Sequence, residues 1–301
     1  RKNLWEEFEH VIGKTNLAKF ALNSTPGLGK YSQTNFYELA KGNVRVATAS
    51  LYPFEKGFLN IRNIPNLAVS RKAHDEMSEI ISGYTADSIK HMRDTNNYFA
   101  DLQEEYRYLY ENQGTSPDGN YAYKVVNNYS ELNNVLEKDD TTIAIIVSIE
   151  GSHVLFDEEM SQGKLTPTQM KKRLEKNIGA IKSWEAPPLT VNLSHHFYNG
   201  LCGHSRSFAG GQRNVLNQNR GLDTGLTGLG IKVLKEYASV NNGKRIIVDT
   251  KHMSIKGRIE YYNWIRSYNY ISAGDKIPIV SSHTGVNGFK TIAGSLRKID
   301  N

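Results

Sequence analysis

Ile143-Ala144-Ile145-Ile146-Val147-Ser148-Ile149-Glu150-Gly151-Ser152-His153 is the stretch on which the reading of the fold turns. Up to Ile149 it is apolar, rich in β-branched residues and the length of a strand. It then stops abruptly on a carboxylate and a glycine. A strand apolar on both faces belongs in a sheet covered by helices. The same pattern recurs downstream. Residues 189–193 run into Ser194-His195-His196, residues 245–248 into Asp249-Thr250-Lys251-His252, and residues 277–280 into Ser281-Ser282-His283. Residues 44–51 give one earlier strand.

Helix signals fill the intervals. Thr166-Pro167 with Gln169 reads as an N-cap, a first-turn proline and a capping-box partner, and predicts a helix running towards Ile181. Residues 226–240 predict another, stopped by Asn242-Gly243. Ser254 caps a third that passes through Trp264 and Ile265. Strands alternating with helices imply parallel strands joined by right-handed crossovers. Residues 70–112 read as long helices broken near Gly83-Tyr84. There the stripe of Tyr98, Phe99, Leu102, Tyr106 and Leu109 is packing surface. Residues 114–119 read as a loop, and residues 196–223 as a long Gly/Asn-rich one of the length that often carries function.

The 301 residues suffice for one large domain. We read residues 1–301 as a single domain with a helical insertion at about 70–120. No run approaches the roughly 18 to 20 apolar residues of a membrane span, so no transmembrane segment is expected. No signal peptide is visible, and the chain starts at Arg1. A soluble protein is expected; export with a signal segment removed stays open. Net charge is +6, from 37 Lys and Arg against 31 Asp and Glu, mixed along the chain. The densest basic run, Lys171-Lys172-Arg173, reads as a solvated helix face rather than a nucleic-acid site. A homodimer stays open.

Cys202 is the only cysteine, which excludes an intrachain disulfide and a thiolate-rich zinc site. A bound metal must rest on His and carboxylate, the donors that suit zinc and related cations. Four successive strands each deliver a Glu or His just past the carboxyl end: Glu150, His195, His252 and His283. In a parallel barrel those ends meet at one mouth, where active sites sit. His10, His74 and His91 lie among charges in predicted helices and read as surface residues. His204, in the long loop, has no assigned role.

At these residues the chain resembles the membrane (renal) dipeptidase family of binuclear zinc hydrolases. The likeness rests on Val147 to His153, Thr190 to His195, Gly225-Leu226-Thr227, Val248 to Ser254 and Pro278 to His283, in that order. It covers residues 141–285, with a weaker likeness at 44–53. The resemblance implies a metal-dependent-hydrolase-type (β/α) barrel that cleaves dipeptides or similar small amides. Glu150 would bridge two zinc ions, with His252 and His283 binding one of them. His195 would not be a ligand; it would donate to the substrate carbonyl and the tetrahedral oxyanion. Asp249 and His153 would orient ligands or fix a strand end. His196 is the adjacent alternative to His195, which the motif favours.

The family's opening His-x-Asp occurs nowhere in the sequence. A late strand-end Asp is missing too, and a closed barrel needs more strands than can be found. The economical expectation is an incomplete barrel lacking its first strand and last two, with the missing ligands encoded upstream and downstream. Lys290 and Arg297 are candidates for holding a substrate carboxylate. Two rival readings are a catalytically silent barrel that binds a small molecule or partner, and a mononuclear hydrolase of another barrel family.

Overall fold

The computed structural model describes residues 3–6, 35–59, 75, 78, 84–95, 97–208 and 216–283. Lys290, Arg297, His10, His74 and most of 70–83 therefore lie outside the described residues. The fold is mixed α/β with a mostly parallel sheet, and the sheet is not closed. The chain divides into two compact units, Arg1–Val147 and Ser148–Asn301.

In the first unit, helix α1 (Phe36–Lys41) starts on Asn35, whose side chain accepts from the Glu38 amide at 2.9 Å. Strand β1 (Val46–Leu51) follows, then α2 (Ala86–Asp94) and α3 (Tyr98–Glu111). Leu102, Tyr106 and Leu109 of α3 are buried, so most of the expected stripe is indeed core. His91 of α2 is exposed beside Asp101 at 3.2 Å, as a surface histidine should be.

Residues 114–119 are not wholly loop. Gly114–Thr115 form β2, antiparallel to β3 (Ala122–Val125). Helix α4 (Tyr129–Lys138) then leads to β4 (Thr142–Ile149), which runs parallel to β3 with Ala122 opposite Thr142. The Arg45 carbonyl accepts from the Ala144 amide at 2.9 Å and joins the β1 edge to β4.

The second unit begins within β4. Its Ser148 and Ile149 pair in parallel with Thr190 and Val191 of β5 (Thr190–Asn192). β5 pairs in parallel with β6 (Ile247–Asp249), Asn192 opposite Asp249. The expected strand at 277–280 reduces to a single parallel bridge from Val280 to Asp249. Pro278 explains part of this, because it brings no amide to a ladder.

After β4 come a 3-10 turn (Ser152–Leu155) and the short α5 (Glu158–Ser161). Helix α6 (Pro167–Lys182) opens on Thr166, with both halves of the capping box formed to Gln169. Helix α7 (Gly228–Ala238) opens on Thr227, and α8 (Ile255–Ile271) on Ser254. α7 ends at Ala238, short of the expected stop at Asn242-Gly243. Those residues serve another purpose: the buried Lys182 ammonium donates to the carbonyls of Glu236 (2.6 Å) and Ser239 (2.7 Å) and to Asn242 Oδ1 (2.9 Å). A cation at the carbonyl end of α7 satisfies orphan acceptors and suits the helix dipole.

Leu155, Leu174, Ile178, Ile181, Val191 and Leu234 are each at most 2 % exposed and form much of this unit's core. Among the described residues, no helix is long and apolar enough to cross a membrane. Truncating Ile178 to Ala should lower unfolding free energy by about 2–5 kcal/mol, because the fully buried site cannot collapse around the gap. The exposed Lys172→Ala on the same helix should change it by no more than about 0.5 kcal/mol. Urea titrations of the two variants check the contrast.

Candidate functional site

Glu150, His195, His252 and His283 all belong to the second unit, and the structure brings them together. Glu150 leaves β4 and is followed at once by Gly151, whose φ is +96°. A Cβ there would sit 2.5 Å from His153 Nδ1 and 3.0 Å from His195 Cβ. Only glycine combines that backbone with that approach. Ser152 then locks the turn, donating to the Asn192 carbonyl at 2.9 Å, with the Tyr237 hydroxyl 3.1 Å away. His153 is buried against this turn.

His252 takes the left-handed conformation, φ +67°. Among non-glycine residues histidine is one of the few enriched there, and such positions concentrate at functional sites. Its carbonyl accepts from the Ser205 amide at 2.9 Å, while the Ser205 hydroxyl donates to the Met253 carbonyl at 2.8 Å. On the other side, buried Asp249 Oδ1 accepts from the amides of Lys251 (3.0 Å) and Ser282 (3.1 Å). One carboxylate thereby ties the turn that ends in His252 to the segment that carries His283. Thr250 adds its amide and hydroxyl to the Val280 carbonyl at 2.9 and 3.1 Å.

Three donor atoms make a triangle. Glu150 Oε1 lies 3.5 Å from His252 Nε2 and 3.4 Å from His283 Nε2, and the two imidazole nitrogens are 3.1 Å apart. Tetrahedral zinc with bonds of about 2.0–2.1 Å requires donor–donor edges of roughly 3.3–3.4 Å. The triangle therefore has the size of one face of such a site, and one carboxylate with two imidazoles is a donor set for zinc or a similar cation. His195 Nε2 sits 3.2 Å from the same Glu150 oxygen, and its side chain is 5 % exposed. His283 is the open side of the cluster, at 54 %.

Protonation is arranged for ligation. Hydrogen bonds from His195 and then His252 hold the Glu150 carboxyl far below its usual range, against the opposing effect of burial. Burial pushes the His252 imidazole down to about 4, despite the attraction of Glu150. At neutral pH the carboxylate is ionised and the imidazole neutral, the forms a cation needs.

Two described residues of the long loop, Phe208 and Gln218, contact His196. The His196 ring stacks on Phe208 at 5.1 Å, and the Gln218 side chain donates to the His196 carbonyl at 2.7 Å. His204 stands apart from the donors. It is fully buried, with Nδ1 and Nε2 each 3.0 Å from a carbonyl, those of Ser205 and Arg220. It fastens the loop whose Ser205 clamps His252. That clamp had no signal in the sequence, because its key contact is a backbone amide. No family model and no curated protein matches the chain.

In the metal-free protein, His252 titrates near 4 when folded and near 6.5 when unfolded. Between these values the unfolded chain binds more protons, so stability falls as pH drops through that window, by at most about 3 kcal/mol. Glu150, depressed in the folded state, acts with the same sign below about 4.5. His252→Asn keeps a residue that tolerates positive φ and removes the titration. Urea midpoints measured without metal from pH 7 to 4.5 should fall less steeply in the variant; equal slopes would contradict the assignment.

Proposed function

We propose that the chain is a metal-dependent hydrolase of the membrane dipeptidase type, built on a (β/α) barrel. Its substrates are dipeptides or similar small amides, and its cofactor is zinc, two ions in the intact protein. The observation that carries the reading is the Glu150–His252–His283 triangle just beyond the carboxyl ends of β4 and β6. Its edges of 3.1 to 3.5 Å suit the zinc ion that the resemblance assigns to the same residues.

In this reading Glu150, His252 and His283 hold the cation. When bound, it acidifies a water and polarises the amide carbonyl. The remaining work falls to the chain. His195 is buried at the edge of the donor triangle, with Nε2 facing Glu150 Oε1. It donates to the carbonyl oxygen as charge builds there, in surroundings of low dielectric where a fixed donor counts for most. Asp249 positions both histidine ligands through the two amides it accepts. Gly151 lets Glu150 reach the cluster without pulling the 3-10 turn into it.

The test pairs His195→Ala with His252→Ala in the full-length protein, with zinc content and dipeptide hydrolysis measured on both. His195→Ala should retain zinc and lose about 10²- to 10³-fold in turnover. His252→Ala should lose zinc and activity together. A wild-type protein that binds no zinc and cleaves no dipeptide would leave a ligand-binding barrel in place of the enzyme. Zinc loss in His195→Ala with full retention in His252→Ala would reverse the two roles.

A further inference from the structure

We infer that His196 is a metal ligand, in a three-histidine position with His195 and His252 that competes with the Glu150 position for a single cation. The inference rests on the reading that this centre binds a cation at all, and goes beyond it by giving the cluster two coordination modes.

The geometry starts with the donors. His195, His196 and His252 each offer a ring nitrogen, and these nitrogens lie within 4.8 Å of one another. The ring centroids form a compact triangle: 3.9 Å for His195–His196, 4.3 Å for His195–His252 and 4.9 Å for His196–His252. A metal lies in the plane of each imidazole that binds it. Two stacked parallel rings can never share such a point. These three rings are inclined at 61°, 68° and 70° to one another, so their planes intersect and one point can lie in all of them.

The surroundings hold that arrangement. Phe208 lies flat against the outer face of His196, at 29° to it, and Gln218 fixes its backbone. His195 is 4 % exposed, and the His252 turn is clamped by Ser205 and Asp249.

Competition follows from His252. It belongs to both donor groups. A neutral imidazole has one free lone pair, since its other nitrogen carries the proton. The cation therefore sits either with Glu150 and His283 or with His195 and His196. The two sets differ in character. Imidazoles alone suit nickel, copper and zinc, whereas a carboxylate in the set favours harder ions such as manganese. In the three-histidine mode the His195 lone pair is taken by the ion, and the side chain is withdrawn from substrate.

Cobalt(II) binding separates the modes. Titrations of the full-length protein, read by the visible spectrum and by equilibrium dialysis, are run on His196→Gln, His283→Ala, the double variant and His252→Ala. Each single variant at 196 or 283 should retain the equivalent that depends on His252, through the position it leaves intact. The double variant and His252→Ala each leave two of the three donors at either position and should bind that equivalent at least about 100-fold more weakly, beyond the loss that an outer-shell change brings. A wild-type control avoids dependence on the variants' folding: cadmium added to the unmutated protein should shift the His196 ring nitrogen in long-range ¹H–¹⁵N spectra. If His283→Ala is as empty as His252→Ala and the His196 ring does not respond, the three-histidine position does not exist, and the Glu150 centre stands. If His196→Gln empties the protein while His283→Ala does not, the Glu150 centre fails instead.

Discussion

Parallel register is the constraint on which the rest of this site depends. Ile149 is level with Val191, Val191 with Val248, and Asn192 with Asp249, so β4, β5 and β6 finish in step. Neighbouring strands lie about 4.8 Å apart, and residues that leave their ends in the same direction start within side-chain reach of one another. A slip of one residue would reverse the face of every side chain on the slipped strand. The apolar side chains of Ile149, Val191 and Val248 forbid that slip, because each is buried. Core packing thus sets the stage on which polar groups meet.

Register brings the chains to the same end but does not aim the side chains. That is done by two left-handed backbones, at Gly151 and His252, and by one buried carboxylate, Asp249. A left-handed histidine stores of order 1–3 kcal/mol of strain. Here it is offset by hydrogen bonds on both flanks: the Ser205 amide donates to its carbonyl, and the Lys251 amide before it donates to Asp249. The result is a preorganised cluster in which an ionised Glu150 sits among imidazoles. Its negative charge is matched by donors that a cation can later replace.

The sequence was most legible where pattern and burial agree. β4 ends at Ile149 as its apolar run does, and α6 starts where Thr166-Pro167-Gln169 says it should. All four strand-end residues chosen from the sequence converge in the second unit. Other elements were legible and went unread. Asn128 with Glu131 is a helix start signal, and the structure uses it: Asn128 Oδ1 accepts from the Glu131 amide at 2.9 Å, and Glu131 accepts from the Asn127 amide at 3.0 Å. Tyr123 and Val125 alternate with Lys124 as a half-buried strand should. What no pattern could reveal is pairing made by the backbone across long gaps. Residues 277–280 look like a strand but join the sheet only at Val280, and the Ser205 clamp reaches 47 positions along the chain from a backbone amide to a backbone carbonyl.

His252 is where these demands meet. Its turn must pass close to Ser205 on one side and carry the segment towards α8 on the other, which a left-handed residue does in one step. Glycine or asparagine would make that turn with less strain, yet neither supplies an imidazole. The residue is therefore chosen for its ring, at some cost in backbone energy. Burial keeps that ring neutral and the flanking hydrogen bonds keep it aimed. It belongs to both donor groups, with Glu150 and His283 and with His195 and His196. A side chain so tightly held cannot swing between distant partners. Any choice between the two donor groups must then come from small movements of the rings around it. His283, the most exposed of them, is the one with room to move.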